Sequence, residues 1–237
     1  TFQQEVLRVV ERQISAGEAA PLALRLAQAE VAQAQQVLRE SGVAWGAQNL
    51  NVNDSGAHTG EVSGGMLREF SCRWVIVGHS ERRALYGEKD ELVAHKIVAA
   101  LRADLSPILC VGETLAERQS GSAEAVVQRQ LGALDGLDSA TLGRVVVAYE
   151  PVWAIGTGVT ASAEEVRAMH GFIRRELASR FGESVSATLR LLYGGSVTAE
   201  NAGVLFAQDD VDGGLVGGAS LKFDSFYAVC QAATFGK

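Results

Sequence analysis

The sequence has few of the features that mark secreted, membrane-spanning or disulfide-rich chains. Its three cysteines, Cys72, Cys110 and Cys230, are far apart and odd in number, so neither a disulfide framework nor a zinc site is expected. It contains no run of about 20 apolar residues, and we therefore predict no membrane-spanning helix. The first residues lack a basic segment followed by an apolar one, so we expect no secretion signal. The three scattered cysteines fit a reducing cytoplasm, where we expect the protein to be located.

Basic residues are in the minority as well. The chain carries 21 Lys and Arg against 28 Asp and Glu, which gives a formal net charge of −7. Because a nucleic-acid backbone attracts basic surfaces, we expect no nucleic-acid partner. A small phosphorylated ligand needs only a local positive potential, so the charge does not exclude one.

From residue 43 onward, short apolar runs alternate with amphipathic segments of helical period. Strands of a parallel sheet that is covered on both faces have this composition, so the alternation predicts an α/β fold. No linker rich in Pro, Gly or Ser divides the chain, and we interpret residues 1–237 as a single domain. The predicted strands in this region are Val43–Gln48, Arg73–Gly78, Pro107–Val111, Arg144–Tyr149, Leu189–Tyr193 and Gly214–Val216.

The residues directly after these runs favour a closed barrel over an open doubly wound sheet. Glycines and polar residues follow every strand, and a (β/α) barrel builds its site from all the loops at that end. These residues are Gln48-Asn49, Gly78-His79-Ser80-Glu81, Gly112-Glu113, Glu150-Pro151, Gly194-Gly195-Ser196 and Gly217-Gly218.

The first 42 residues fit the alternation less well. Phe2–Ser15 has apolar residues at helical spacing, and Gln28–Glu40 is predicted to be a second helix that stops at Ser41-Gly42. Pro21–Leu26 alternates and is interpreted as a strand. The strand that a barrel would place before the first helix is not found.

The segment that begins at Glu150 has the layout of a base beside a hinged lid. A carboxylate follows a strand, a proline stiffens the start of the next segment, and glycines give flexibility and backbone N–H groups at its end. We predict that the lid consists of Pro151, Val152, Trp153, Ala154, Ile155, Gly156, Thr157 and Gly158.

His79 follows another strand and precedes Ser80, a residue suited to an N-cap. The positive end of the helix dipole is expected to lower the pKa of His79 and to keep its imidazole neutral. A neutral ring can donate a hydrogen bond to a carbonyl oxygen and can pass protons.

Paired glycines follow the last two predicted strands, at Gly194-Gly195 and Gly217-Gly218. Backbone amides at such turns can approach an anion closely, and a helix that starts there directs its dipole at the same point. Together with Gly156 they predict a phosphate pocket.

These strings together resemble the triosephosphate isomerase family. Its most specific string is residues 148–158, Ala-Tyr-Glu-Pro-Val-Trp-Ala-Ile-Gly-Thr-Gly, and the match runs from about residue 43 to the end. Supporting strings are Gly46-Ala47-Gln48-Asn49, Gly60-Glu61, Gly78-His79-Ser80-Glu81-Arg82-Arg83, Cys110-Val111-Gly112-Glu113-Thr114, Tyr193-Gly194-Gly195-Ser196-Val197 and Leu215-Val216-Gly217-Gly218-Ala219-Ser220-Leu221.

The resemblance implies a TIM (β/α)8 barrel that interconverts dihydroxyacetone phosphate and glyceraldehyde 3-phosphate in glycolysis and gluconeogenesis. Glu150 is then the general base and His79 the neutral electrophile, an assignment that belongs to the family. Glu81 helps to order the catalytic groups. The resemblance also implies a homodimer, in which the loop Asn51–Glu61, with Thr59 and Glu61, contacts a partner subunit. The residues that bind the phosphate are then Gly156, Ser196, Gly217 and Gly218.

The front of the chain departs from the family pattern. Family members have a first strand that ends in a Gly-Asn-Trp-Lys-like string whose lysine binds the phosphate, whereas the first lysine here is Lys89. Three explanations stay open: further N-terminal residues exist in the protein, the strand is missing and the isomerase is weak, or an arginine such as Arg25 partly replaces the charge.

Two other functions are therefore alternatives to the isomerase. One is a catalytically impaired barrel that binds phosphate without turnover, and the other is a different phosphosugar enzyme with the same glycine pairs. We expect no metal and no organic cofactor, because enolisation needs only a base and electrophiles.

Overall fold

The computed structural model describes residues 19–235, and the contacts within the chain divide it after Trp45 into two units. Helix α1 (Ala19–Ser41) belongs to the first unit, and the sheet belongs to the second. The helix predicted over Phe2–Ser15 lies outside the described residues. The interpretation of residues 1–237 as one domain stays a prediction.

Helix α1 shows that the strand predicted at Pro21–Leu26 is wrong. Ala, Leu, Arg and Gln dominate this helix, and all of them are strong helix formers. The predicted end is confirmed, since the helix ends at Ser41 and Gly42 adopts the left-handed φ of 71° that closes many helices.

Within residues 46–235, six strands form one parallel sheet, and each strand pairs with its neighbours in chain order. This order is that of a (β/α)8 barrel, because a doubly wound sheet reverses its strand order at a switch point. The six strands overlap the six runs predicted from residue 43 onward, although all but the third are shorter than predicted and the last shares only Gly214 with its run. They are β1 (Gly46–Ala47), β2 (Trp74–Val77), β3 (Ser106–Val111), β4 (Val146–Tyr149), β5 (Arg190–Tyr193) and β6 (Gly213–Gly214).

Helices connect these strands, as the alternation predicts. Two long helices of the second unit, Asp90–Arg102 and Ala163–Phe181, have acidic residues in their first turn. These carboxylates interact favourably with the positive end of the helix dipole. The helices are α2 (Gly64–Glu69), α3 (Ser80–Tyr86), α4 (Asp90–Arg102), α5 (Leu115–Gln119), α6 (Ala123–Leu131), α7 (Ser139–Leu142), α8 (Ala163–Phe181), α9 (Glu183–Thr188), α10 (Ala202–Phe206) and α11 (Phe223–Phe235).

The core lies around β3 and β4, and all four residues of β4 are buried. Burial on both faces is what the apolar composition of this strand predicts. The pairing places Val111 opposite Tyr149, and Tyr149 opposite Tyr193. Because β3, β4 and β5 end at the same level, the residues that follow them lie at one edge of the sheet.

Candidate active site

Two side chains that follow different strands meet at this edge. Glu150 comes directly after β4 and is buried, and His79 comes two residues after the end of β2. Nε2 of His79 lies 2.9 Å from Oε1 of Glu150. The predicted base and the predicted electrophile are therefore in direct contact.

A hydrogen bond at the second ring nitrogen of His79 determines which tautomer the ring adopts. Helix α3 begins at Ser80, and Nδ1 of His79 accepts a hydrogen bond of 3.3 Å from the backbone N–H of Glu81. A ring nitrogen that accepts an N–H bond carries no proton, so Nε2 is the protonated nitrogen and donates to Glu150. The N-cap of the helix is His79 itself, so the interpretation of Ser80 as the N-cap is wrong.

The pKa of His79 is raised, whereas the helix dipole was expected to lower it. The hydrogen bond from Nε2 to the Glu150 carboxylate raises this pKa, and the charges of Glu150 and Glu81 add to it. Burial of the ring lowers the pKa but does not outweigh the carboxylates. While Glu150 is in contact, the ring therefore accepts a proton more readily than an ordinary histidine does.

Glu150 is held by a hydrogen bond to its carboxylate and by close packing around it. Its other carboxylate oxygen, Oε2, accepts a hydrogen bond of 2.9 Å from the backbone N–H of Ser80. A Cβ atom added to Gly112 would lie 1.7 Å from the carbonyl oxygen of Glu150, and one added to Gly194 would lie 2.9 Å from its Cγ. Only glycine fits these two positions, so the glycine after β3 packs against the main chain of Glu150 and the glycine after β5 packs against its side chain.

A cavity of about 860 Å³ opens above this pair. All four residues that were predicted to bind the phosphate line it, and so does the carboxylate-bearing residue Glu81. Its lining includes His79, Glu150, Gly156, Ser196, Gly217 and Gly218. The structure thus brings the predicted base, the imidazole and the glycine turns to one cavity.

The segment predicted to be the lid follows Glu150 directly, and its closure over the cavity stays a prediction. A short 3-10 helix, Val152–Ala154, comes first, and Gly156 and Gly158 then adopt left-handed φ angles of 68° and 78°. Residues with side chains are strained at such angles, so the far end of the lid requires glycine. Ile155 and Gly156 line the cavity, which places the lid at its rim.

Glu113 holds Trp153 of the predicted lid segment, a contact that was not predicted from the sequence. Its carboxylate is fully buried and accepts a hydrogen bond of 2.8 Å from the indole N–H of Trp153. The same carboxylate accepts from the hydroxyl of Tyr149 and pairs with Arg118 at 3.1 Å. The guanidinium of Arg118 also stacks on the Trp153 ring, 4.7 Å from its centroid.

A buried ion cluster supports the cavity wall at Asn49. Nζ of Lys96 is buried and donates to Oδ1 of Asn49 at 2.6 Å and to Oε1 of Glu88 at 2.5 Å. Arg82 donates to the same Glu88 oxygen at 2.6 Å. Burial raises the pKa of Glu88, but the hydrogen bonds from Lys96 and Arg82 outweigh it and lower this pKa below its ordinary value.

The residues predicted for a subunit interface lie away from the cavity lining. Thr59 and Glu61 are exposed, and the Glu61 carboxylate accepts a hydrogen bond of 2.8 Å from the side chain of Asn51. This bond ties the two ends of the loop Asn51–Glu61 together. The contact of this loop with a partner stays a prediction.

Within the described part of the chain, no helix is long and apolar enough to cross a membrane.

Comparison with known proteins assigns the chain to one family. The family model of triosephosphate isomerase matches residues 2–233. The match therefore also covers the first 42 residues, in which the sequence analysis recognised no family string.

Relatives with this name cover most of the chain. The triosephosphate isomerase of Thiobacillus denitrificans is 59% identical over 204 residues, which cover 86% of this chain and 82% of that protein. That of Dechloromonas aromatica is 56% identical over 202 residues, 85% of this chain and 81% of that protein. That of Nitrosomonas eutropha is 49% identical over 231 residues, 97% and 91% respectively. The chain belongs to the triosephosphate isomerase family.

Proposed function

We propose that this chain is an enzyme that interconverts dihydroxyacetone phosphate and glyceraldehyde 3-phosphate by proton transfer through an enediolate. The observation that carries the proposal is the 2.9 Å contact between His79 and Glu150 at the base of a cavity with glycine turns on its wall. Membership of the triosephosphate isomerase family supports the same reaction.

The two side chains divide the chemistry between them. Glu150 removes a proton from the carbon next to the carbonyl group and returns it to the neighbouring carbon, which converts one triose phosphate into the other. His79 donates the hydrogen of Nε2 to the carbonyl oxygen, because its Nδ1 is occupied by the Glu81 N–H. Negative charge that develops on the oxygen is stabilised by a donor that is already oriented.

The backbone amides of Gly156, Ser196, Gly217 and Gly218 bind the substrate phosphate. All four residues line the cavity, and the turn at Gly217 leads into the short 3-10 helix Gly218–Leu221. Closure of the lid then excludes water and keeps the enediolate from losing phosphate. Glu81 contributes through its backbone N–H, which orients the His79 ring.

The cellular setting follows from the same reaction. Interconversion of these two trioses belongs to glycolysis and gluconeogenesis, and we place the enzyme in the cytoplasm. We also expect a homodimer in which Thr59 and Glu61 contact the partner subunit, since both are exposed on the loop Asn51–Glu61.

The direct test compares the unmodified chain with Glu150→Gln in a coupled assay with glyceraldehyde 3-phosphate. The substitution keeps the size of the side chain and removes the base, so turnover is expected to fall by about 10³ or more while a phosphoglycolate-like ligand still binds. Turnover that is unchanged in Glu150→Gln would end the proposal. Binding without turnover in the unmodified chain would favour the impaired phosphate-binding barrel.

A further inference from the structure

The side chain of Gln130 makes both of its hydrogen bonds to a single residue next to the active site. Gln130 lies in helix α6 and is 4% exposed. Its Oε1 accepts a hydrogen bond of 2.7 Å from the backbone N–H of Gly112, and its Nε2 donates one of 3.1 Å to the carbonyl oxygen of the same glycine. An amide is the side chain that offers a donor and an acceptor in this geometry.

Gly112 is the first residue after β3. The backbone bonds from the segment after β4 reach its two neighbours: the N–H of Glu150 donates to the carbonyl oxygen of Val111 at 2.7 Å, and the N–H of Val152 donates to that of Glu113 at 3.1 Å. The N–H and carbonyl groups of Gly112 take part in neither bond and need other partners, because an unpaired polar group in the interior is costly. Gln130 supplies both partners of Gly112.

The position of Gly112 in turn determines where the main chain of Glu150 can lie. The Cα of Gly112 faces the Glu150 carbonyl group so closely that a Cβ atom there would lie 1.7 Å from the oxygen. A shift of the Gly112 peptide toward this carbonyl group therefore has to move Glu150. The carboxylate of Glu150 is held within 2.9 Å of His79 on the other side.

We propose that Gln130 is a positioning residue for the isomerase reaction, because its amide fixes the Gly112 peptide, which packs against the main chain of Glu150 and so sets where the Glu150 carboxylate lies. Gln130 is not among the residues that line the cavity, so it acts through Gly112 and not on the substrate. The inference rests on the proposed function, in which Glu150 is the base.

The test compares Gln130→Met with Gln128→Met. Gln128 lies in the same helix, is exposed, and donates to Glu176 at 3.1 Å, so its replacement is a matched control that leaves Gly112 untouched. We expect Gln130→Met to lower kcat by about 10-fold to 100-fold with KM within about twofold, since a misplacement of about 1 Å can cost that much. Gln128→Met should change neither constant.

A second measurement separates positioning from a general loss of structure. In the unmodified chain the Glu150 contact raises the pKa of His79. When the carboxylate is displaced, the pKa of His79 measured by NMR should fall toward its ordinary value in Gln130→Met and stay raised in Gln128→Met. This measurement does not depend on turnover, so it tests the positioning role even if the isomerase reaction itself is absent.

Gln130→Glu provides a conservative variant for the case in which Gln130→Met fails to fold. A neutral carboxylic acid has one donor and one acceptor and can replace both amide bonds, whereas the ionised form has lost the donor. Relative to the unmodified chain at the same pH, kcat of Gln130→Glu should be restored at low pH and should fall as the introduced group ionises. A kcat and a His79 pKa that match the unmodified chain in Gln130→Met, or a pH-independent kcat ratio in Gln130→Glu, would overturn the inference.

Discussion

His79 and Glu150 are joined by a hydrogen bond of 2.9 Å between Nε2 and Oε1. The remaining ring nitrogen of His79 and the remaining carboxylate oxygen of Glu150 each accept a hydrogen bond from a backbone N–H of helix α3. The N–H of Glu81 contacts Nδ1 of His79, and the N–H of Ser80 contacts Oε2 of Glu150. The start of one helix therefore orients both the base and the electrophile. The two groups are occupied with each other, so a substrate that uses both has to separate them.

The contact makes the pair sensitive to pH in a defined direction. Because Glu150 raises the pKa of His79 above its unfolded value near 6.5, the pair contributes its full stability below about pH 6.5. The contribution is lost as pH rises through the raised pKa. Urea denaturation at a series of pH values should show this loss in the unmodified chain and not in Glu150→Gln.

NMR titration gives the same quantity directly. The pKa of His79 should lie above 6.5 in the unmodified chain and should fall in Glu150→Gln. Burial lowers the pKa of His170 to about 4, so its signals serve as an internal reference that does not titrate in the same range. A His79 pKa below 6.5 in the ligand-free protein would contradict the observed pairing.

The glycine after β3 is expected to be essential for activity. In Gly112→Ala the new Cβ atom would lie 1.7 Å from the Glu150 carbonyl oxygen, so the main chain has to move and kcat should fall by about 10² or more. Gly203→Ala is the control, because Gly203 lies in α10 with no atom near the added Cβ. That variant should be fully active and slightly more stable, by about 0.5–1 kcal/mol.

The hydrogen bond between Trp153 and Glu113 is expected to control the lid. Trp153→Phe removes the indole N–H and leaves the buried Glu113 oxygen with fewer donors, so the lid should close less tightly. We expect kcat to fall by about 10-fold, and more inorganic phosphate should be released per turnover because the enediolate is less protected. If the variant releases no more phosphate than the unmodified chain, Trp153 has no role in lid closure.

The buried Lys96 is expected to contribute strongly to stability. In Lys96→Met the Glu88 carboxylate loses one of its two cations in the interior, and such a change typically costs about 3–5 kcal/mol. Lys89→Met, at an exposed position, should cost less than about 0.5 kcal/mol. Adding Glu88→Gln to Lys96→Met should recover part of the loss, and a simple sum of the two effects would show that the groups are not coupled.

Much of this site follows from the sequence because its parts are local. Each strand is its own apolar run and each carries a polar residue at its end, so His79, Glu150 and the glycine turns could be assigned to one edge before any distance was known. The Glu150 lid string also contains its own hinges. The strand predicted at Pro21–Leu26 was wrong because alternation over a few residues does not exclude a helix when the residues after the proline are all good helix formers.

The remaining features depend on contacts between distant segments. Gln130 and Lys96 belong to helices, and nothing in their neighbours along the chain indicates that they reach Gly112 and Asn49. The sequence pattern identifies Glu113 only as a polar residue that follows a strand and does not indicate its contact with Trp153. The direction of the His79 pKa shift required the distance to Glu150, since the helix dipole and a carboxylate in contact act in opposite directions.

The most direct test of the central claim follows hydrogen at the substrate carbon. The unmodified chain and Glu150→Gln are incubated with dihydroxyacetone phosphate in deuterated water, and the product is analysed by ¹H NMR. If Glu150 moves a proton through an enediolate, the unmodified chain should introduce solvent deuterium at the carbon, and Glu150→Gln should introduce none above the uncatalysed rate. Deuterium incorporation that is equal in both proteins would contradict the role assigned to Glu150.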